Sequence, residues 1–333
     1  MNKRKSFILF FISLFLFGCN SKQIFISKNY FSFSTIFNIN VYQDVDDSIF
    51  RKIESTLDKY NKLFDPFNEY KGINNIYTIN HSKEEIKVDD NLYNAIKLAD
   101  KYYNSSLKNY FNPYLGEFTF EYKKIYEEYT NNKDNKITYL DKEYIEKSLN
   151  NLNNFKIIFN DLDKTIKRDG DSLIDLGAFA KGYVLNELKN FMKEESIEYY
   201  LLNGGSSSVY LTTNPSRTDN NFLVGLRYLN RKGIETKNNS IGISSIFEQL
   251  IEVDGNKYSH IINPLTGLSE CNYDFSVVMH EDPILSDILS TSLMLIKDEN
   301  IINKIKDEYN FKYSLFKDKK IIHSSNDIIL VDY

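Results

Sequence analysis

The sequence predicts an α+β fold built as one continuous domain, which could be divided into two lobes. Apolar residues alternate with asparagines over 37–41, which is typical of a strand, whereas apolar residues recur at helical spacing over 49–63. The chain has 333 residues and contains neither a Pro/Gly/Ser-rich linker nor an internal repeat. These observations favour a single folded unit over residues 30–333.

The individual elements follow from the same patterns, in chain order. A first strand is predicted over Phe31 to Tyr42, and the helix over 49–63 comes next. Pro66 and Asn68 predict an irregular turn over 64–69. The later predictions are a helix over 91–103, a solvated helical excursion over 121–151 with a polar loop at 130–136, a hairpin over 155–168 turning at Asn160-Asp161, two strands joined by a loop over 199–211, strands near 222–228, 241–253 and 274–279, helices over 283–296 and 298–309, and a final hairpin.

The N-terminus has the pattern of an export signal. Three cations at positions 3–5 precede an apolar run over 7–17, which is too short to span a membrane comfortably. The run ends in Gly18-Cys19, which resembles the cleavage site of bacterial lipoproteins. We therefore expect a signal peptide over 1–18, lipidation of Cys19, a polar tether over 19–29, and a lipid anchor in the cell membrane facing the periplasm or the exterior. An uncleaved signal anchor and an ordinary cleaved secretory peptide are the alternatives.

Composition excludes two classes of feature. Cys271 is the only cysteine besides Cys19, so an acylated chain has no internal disulfide. The formal net charge is −5, and it falls to about −8 once the three signal-peptide cations are removed. Because a nucleic-acid partner usually requires a basic patch, this balance predicts no nucleic-acid binding.

The segment 175–183 carries the densest set of polar groups. The residues Ser172 to Ile174 read as the end of a buried strand, and Val184, Leu188 and Phe191 then keep the spacing of one helix face. The polar residues of this segment therefore lie at a helix N-terminus. Unpaired N–H groups and a partial positive charge make a helix start a docking place for phosphate, so the segment predicts a phosphate-bearing ligand.

A second candidate is the pair Asp287 and Thr291. Pro283 marks a helix start, and residues four apart lie on one helix face, so the carboxylate and the hydroxyl point the same way. Both are hard oxygen ligands of the kind that Mg²⁺ prefers. The alternative is a surface Asp together with a Thr that bonds back to its own helical turn.

A third candidate is His260, one of four histidines in the chain. It lies at the end of a predicted strand, beside the Asn263-Pro264 turn that Gly267 closes. A histidine beside a ligand loop can act as a general base near neutral pH, although a structural role is the alternative. The loop over 203–206 follows a buried strand, where glycine lets the backbone approach a ligand closely.

In their order along the chain, these motifs resemble the FAD:protein FMN transferase family, also known as ApbE-type thiamine-biosynthesis lipoproteins. The resemblance covers nearly the whole mature chain. It implies a single large ApbE-like (T-fold-like) domain with mixed or antiparallel sheets and packed helices. The matching segments are 33–35, 64–69, 110–116, 175–183, 203–205, 259–267 and 286–292.

The resemblance also implies residue roles. A Mg²⁺ ion would be held by the backbone oxygen of Ala178 and the side chains of Asp287 and Thr291, with His260 as the base and Asp287 in the catalytic set. Asn112 and Asn263 stand where many family members have Asp, which would remove negative charge near a polyanion. The expected FAD contacts are Phe33, Phe64, Tyr110, Phe111, Asn112, Asp175, Lys181 and Ile262.

The implied function is Mg²⁺-dependent transfer of FMN from FAD to a protein. FMN would be joined through a phosphoester to a Thr or Ser in a flavinylation motif of a membrane or exported redox protein, with release of AMP. One alternative is an FAD pyrophosphatase, in which water replaces the acceptor hydroxyl and FAD gives FMN and AMP. The other is a non-catalytic FAD-binding lipoprotein.

Overall fold

The structure is a computed structural model that describes residues 24–131, 140–253 and 256–333. The predicted signal peptide over 1–18, the predicted lipidation site Cys19 and the first part of the predicted tether lie outside the described residues, as does most of the polar loop at 130–136. The helices of the described part are α1 (Asp47–Leu63), α2 (Ile76–Asn80), α3 (Asp90–Tyr103), α4 (Gly116–Asn131), α5 (Lys142–Asn153), α6 (Ala180–Glu194), α7 (Pro283–Met294) and α8 (Glu299–Tyr309).

The strands form mainly antiparallel sheets. Their bounds are β1 (Ile26–Ser32), β2 (Thr35–Val41), β3 (Ile86–Lys87), β4 (Lys156–Asn160), β5 (Thr165–Asp169), β6 (Tyr200–Gly204), β7 (Ser208–Leu211), β8 (Phe222–Gly225), β9 (Lys232–Thr236), β10 (Asn239–Ser245), β11 (Leu250–Val253), β12 (Asn256–Ser259), β13 (Phe275–His280), β14 (Lys312–Lys317), β15 (Lys320–Ser324) and β16 (Leu330–Asp332). The largest sheet has eight strands in the order β1-β2-β6-β7-β10-β13-β14-β15. Smaller sheets have the orders β16-β9-β8, β3-β5-β4 and β11-β12. The predicted α+β class is confirmed.

The eight-stranded sheet is covered on both faces. Helices α1, α6 and α7 pack on one face, where Phe37, Ile39 and Leu202 are fully buried. The other face carries a second apolar cluster that includes Ile241 and Val277, and the sheet β16-β9-β8 covers it. Burying each such side chain contributes about 1.5–3 kcal/mol, so the sheet forms the centre of one continuous fold.

Several predicted elements are confirmed. The helices predicted over 49–63, 91–103, 283–296 and 298–309 correspond to α1, α3, α7 and α8. The helix starts have the expected chemistry, since the Asp46 and Asp282 side chains accept hydrogen bonds from the backbone N–H groups of Ser48 and Ile284. The hairpin over 155–168 is also present, as β4 and β5.

The first predicted strand is wrong. Residues 31–42 are not one strand, because the chain reverses at Phe33 and Ser34, both of which have positive φ. The reversal joins β1 to β2 as a two-residue hairpin turn of the kind usually marked by Asn or Gly, and neither residue type is present here. The tether also ends earlier than predicted, since residues 26–29 already pair with β2.

Three further predictions need correction. Residues 241–253 form two strands, β10 and β11, which belong to different sheets. Residues Ser172 to Ile174 form no regular strand, and Leu173 makes only an isolated parallel bridge to Leu115. The excursion over 121–151 is not simply solvated, because Tyr122 of α4 is fully buried in the core. Within the described residues, no helix is both long and apolar enough to span a membrane.

Candidate active site

The structure brings all the predicted site residues that it describes into two adjoining clefts. The first cleft has a volume of about 430 Å³ and the second about 470 Å³. Asp175 and Lys181 line both, so the segment 175–183 lies at their junction. Phe33 and Phe64 line the second cleft, and the first is lined by Tyr110, Phe111, Asn112, Ala178, His260, Ile262, Asp287 and Thr291.

Asp287 is a buried carboxylate on α7 that faces the first cleft. Its Oδ2 accepts a hydrogen bond of 2.8 Å from the Gly182 backbone N–H, and its Oδ1 accepts one of 2.6 Å from the Ser208 hydroxyl. Burial raises the pKa of Asp287, against the opposing effects of Lys181 and of these two donors. One N–H at the start of α6 is therefore used by a carboxylate of the protein and is not available to a ligand phosphate.

Two glycines set the position of α7. A Cβ atom on Gly182 would lie 2.7 Å from the Cβ of Asp287 and would also overlap the Pro283 carbonyl oxygen. A Cβ on Gly242 of β10 would overlap the Ser286 carbonyl oxygen. Helix α7 thus lies between α6 and β10 at a distance that only glycine allows, and this close packing holds the Asp287 carboxylate against the start of α6.

Thr291 lies one helical turn after Asp287, on the same cleft. Its hydroxyl lies 2.9 Å from the hydroxyl of Ser244 on β10. The neighbouring Ser292 instead donates to the Ile288 carbonyl of its own helix, and Ser290 donates to the Asp287 carbonyl while its oxygen also lies 2.9 Å from the Ser244 hydroxyl. Thr291 is therefore joined to the sheet across the cleft wall, which differs from the alternative of a hydroxyl bonded only to its own turn.

The oxygens at this point are of the kind that Mg²⁺ prefers. A carboxylate, a hydroxyl and the turn residue Ala178 line one cleft, and all offer hard oxygen ligands. A carboxylate whose charged form is disfavoured by burial is a suitable place for a cation, because the cation offsets that cost. No group of three or more His, Cys, Asp or Glu side chains that could hold a metal ion is found in the described ranges. The present set contains one carboxylate.

His260 lies in the wall of the first cleft, directly after β12. Its Nδ1 is buried and has no hydrogen-bond partner among the described residues. Burial lowers the pKa of His260 to about 4, with Glu248 acting in the opposite direction and Lys181 adding to the effect. The imidazole is therefore neutral at pH 7, which is the form that can accept a proton.

The aromatic residues of the second cleft form a packed group. The ring of Phe64 lies 6.3 Å from that of Phe33, 5.4 Å from that of Tyr60 and 5.7 Å from that of Tyr183, measured between centroids. Phe64 is only 5% exposed. Most of its ring surface is thus used by protein neighbours, and its contact with a flavin or adenine ring stays a prediction.

Three polar residues noted in the sequence stabilise turns, and two of them, Asn112 and Asp175, line the first cleft. The side-chain oxygens of Asn112, Asp175 and Asn263 accept hydrogen bonds from the backbone N–H two residues later, at 2.9, 2.9 and 3.0 Å. An amide oxygen can accept such a bond as a carboxylate does. The two asparagines therefore stabilise these turns without the negative charge that the family resemblance led us to expect there.

Lys123 and Phe67 also line both clefts, although the sequence patterns did not single them out. The Lys123 Nζ lies 3.7 Å from the centre of the Phe67 ring. Lys123 belongs to the excursion over 121–151, in which no function was predicted. No local pattern distinguishes it from the other lysines there, because its position depends on how α4 packs against the turn over 64–69.

Ser208 and Glu248 were also missed. Ser208 binds Asp287, and Glu248 lines the first cleft, where it accepts hydrogen bonds from the hydroxyls of Ser206 and Tyr228 at 2.8 and 3.1 Å. The serine-rich loop over 203–208 was noted for its glycines, and its hydroxyl groups were the signal that could have pointed to Ser208.

Comparisons with known proteins agree with this arrangement. The sequence profile of the ApbE family matches residues 33–313. The chain is 29% identical over 126 residues to the FAD:protein FMN transferase of Klebsiella pneumoniae, an alignment that covers 36% of this chain and 38% of that protein. The alignments with curated relatives span 38% to 45% of those relatives' lengths.

Two solved structures have a similar fold. The crystal structure of the ApbE protein from Thermotoga maritima has a TM-score of 0.77 and 21% identity, covering 91% of this chain and 98% of that one. The flavin transferase ApbE from Vibrio cholerae has a TM-score of 0.70 and 17% identity, covering 91% of this chain and 97% of that one. At these identities the likeness concerns the fold.

Proposed function

The chain belongs to the ApbE family, and on that premise we propose that it is an FAD:protein FMN transferase that depends on Mg²⁺. It attaches FMN from FAD through a phosphoester to a Thr or Ser of a membrane or exported redox protein and releases AMP. FAD is the substrate, and the acceptor carries a Ser/Thr flavinylation motif.

The main support for this proposal is the position of the Asp287 carboxylate. This buried carboxylate lies at the wall of a cleft that Lys181 and Lys123 also line, next to the Thr291 hydroxyl and Ala178. A pyrophosphate needs both cationic groups and a site for a divalent cation. The two clefts that meet at Lys181 fit a molecule with a ring system at either end of a pyrophosphate.

The chemistry follows from these groups. The acceptor hydroxyl oxygen forms a bond to the phosphorus of the FMN half, and the bond from that phosphorus to the bridging oxygen breaks. AMP leaves with the bridging oxygen and its electron pair, and the neutral His260 takes the hydroxyl proton. Lys181 lies where it can balance phosphate charge. A Mg²⁺ held by Asp287, Thr291 and the Ala178 carbonyl would supply further charge neutralisation and polarise the phosphorus.

The direct test mixes the purified protein with FAD, Mg²⁺ and a candidate acceptor, and follows flavin fluorescence of the acceptor in a denaturing gel. We expect a fluorescent acceptor with the wild type and none with Asp287→Ala. Accumulation of FMN and AMP without a fluorescent acceptor would show that the protein hydrolyses FAD and does not transfer FMN. Tight FAD binding with no product would leave a non-catalytic FAD-binding protein.

We further propose that the protein is a lipoprotein anchored through Cys19 and facing the periplasm or the exterior. The signal-like pattern over 1–19 supports it, and an anchor would place the site near acceptors in the same membrane. Cys19→Ala is expected to release the protein from the membrane fraction. Unchanged membrane association of that variant would contradict the anchor.

A further inference from the structure

A third cleft, of about 310 Å³, lies on the far face of the eight-stranded sheet. Its floor includes Asn40 of β2 and Asn203 of β6, and its wall is strand β8 with the turn that follows. None of these residues takes part in the chemistry proposed above. We call this space the asparagine cleft.

Two asparagines at the floor of the asparagine cleft have buried side-chain oxygens that accept no hydrogen bond. The Asn40 Nδ2 donates to the Asn38 Oδ1 at 2.9 Å, and the Asn38 Nδ2 donates to the Asn29 Oδ1 at 2.8 Å. This chain of amides fixes the orientation of Asn40, because turning its amide over would set two carbonyl oxygens against each other. The Oδ1 atoms of Asn40 and Asn203 are buried and have no partner among the described residues.

The two acceptors lie close together. Asn38 and Asn203 are directly paired across β2 and β6, so Asn40 and Asn203 are diagonal neighbours on the same face, about 7–8 Å apart. A buried acceptor without a donor costs about 1–3 kcal/mol. The two oxygens have almost no accessible surface, so an N–H group of an occupant pairs with them only when the asparagine side chains turn toward the cleft.

The wall of the cleft is the edge of a sheet. In the described part of the chain, β8 has β9 as its one neighbouring strand. The Leu226 N–H donates to the Lys232 carbonyl oxygen at 2.8 Å, so these two residues form a hydrogen-bonded pair. In an antiparallel ladder, hydrogen-bonded pairs alternate with pairs that are not hydrogen-bonded. The N–H and C=O groups of Leu223 and Gly225 therefore point away from β9. Consecutive residues from 223 to 228 line the cleft, as expected when a strand edge borders it.

The asparagine cleft adjoins the first cleft of the active site. Ile243 of β10 lines both. Ser206 and Tyr228 line the asparagine cleft, and their hydroxyls donate to Glu248, which lines the first cleft. A molecule held along β8 would thus end beside the wall that also carries His260.

We propose that the asparagine cleft binds an extended segment of the acceptor protein, next to the Ser or Thr that receives FMN. An extended backbone supplies alternating N–H and C=O groups, which match the outward groups of Leu223 and Gly225 in the manner of strand addition. Its remaining N–H groups, or amide side chains, donate to Asn40 and Asn203. This inference rests on the proposed transferase function and adds the site of acceptor recognition.

The test uses the acceptor protein that the wild type makes fluorescent in the transfer assay. The double variant Asn40→Leu/Asn203→Leu removes both acceptors, and Leu223→Pro removes one outward N–H while leaving the bonds between β8 and β9. Asn303→Leu, at an exposed position of α8, is the matched control. We expect the KM for the acceptor to rise at least tenfold in the first two variants, with the Kd for FAD within twofold of the wild type and the control unchanged.

The outcomes separate this inference from the function on which it rests. If the wild type labels no acceptor, the transferase function fails and the inference fails with it. If the wild type transfers FMN and both variants keep its acceptor KM, only the asparagine cleft is wrongly assigned. A change in FAD affinity or in oligomeric mass, with an unchanged acceptor KM, would assign the cleft to a small molecule or to a second copy of the chain.

Discussion

Replacing Asp287 by Asn separates the charge of this side chain from its hydrogen bonds. The Asn oxygen can accept the Gly182 N–H, and the Asn amide can donate to the Ser208 hydroxyl, which rotates to accept. Both bonds survive while the negative charge is lost. Asp287→Ala instead leaves the Gly182 N–H buried without an acceptor.

These contacts set the magnitudes. We expect Asp287→Ala to lower the free energy of unfolding by about 2–4 kcal/mol, since it leaves two donors unpaired at about 1–3 kcal/mol each and the hydroxyl can partly recover. Asp287→Asn is expected within about 1 kcal/mol of the wild type in metal-free buffer, because removing a buried charge offsets any loss in bond strength. Mg²⁺ at 100 times its Kd should stabilise the wild type by about 2.7 kcal/mol.

The assay is thermal unfolding with and without Mg²⁺, alongside acceptor labelling. At about 2–4 °C per kcal/mol for a large domain, the wild-type Tm should rise by roughly 5–10 °C. Asp287→Asn should show no Mg²⁺-dependent rise and no labelling while remaining folded. The assignment of Asp287 as a metal ligand would be refuted if the Asn variant kept the Mg²⁺-dependent rise in Tm.

The remaining predictions concern packing, pH and charge. Gly242→Ala should lower the free energy of unfolding, measured in urea, by at least about 2 kcal/mol, because its Cβ would overlap the Ser286 carbonyl oxygen. Gly177→Ala is the control, since the nearest atom to its Cβ would lie 3.3 Å away. Equal stability of the two variants would contradict the packing argument. The acid limb of kcat/KM should lie near pH 4, since protonation of His260 below its lowered pKa removes the base. Lys181→Met should move that limb to higher pH by removing a neighbouring cation. An acid limb that stays at the same pH in this variant would contradict the assignment of His260 as the base. Lys123→Met should weaken FAD binding about tenfold and reduce the salt dependence of that binding. Flavin fluorescence quenching measures both. An unchanged Kd for FAD would show that Lys123 does not contact the bound FAD.

The helices were the most predictable part of the fold. Helix α1 has buried residues on one face at three- and four-residue steps, and Asp46 caps its start. Helix α7 has Pro283 in its first turn. Both signals are local, since spacing along a helix fixes which side chains share a face whatever the helix packs against.

The strands were less predictable because their ends depend on neighbouring chains. The hairpin turn at Phe33 and Ser34 carries no Gly or Asn signal, and the alternation of apolar residues continues across it. Residues 241–253 read as one strand, yet their halves pair with different partners. Pairing is a property of two segments, so the pattern of one segment does not locate its ends.

For the candidate site, the sequence alone determined which kinds of groups are available. It identified Asp287 and Thr291 as two oxygens on one helix face, Lys181 near a helix start, and His260 at a strand end. These follow from local spacing. The family resemblance added their proposed roles toward FAD and Mg²⁺.

Only the tertiary structure decided which of these groups meet. Gly182 and Asp287 are 105 positions apart in the chain, and their hydrogen bond exists because α6, α7 and β10 pack at a distance set by two glycines. The same packing brings Lys123 to the clefts and leaves the Asn40 oxygen unpaired on the far face. The periodicity of apolar residues along the sequence indicates which face of a helix or strand is buried. The identity of the partner across that face is set by the shapes of both elements, which become defined together when the chain folds.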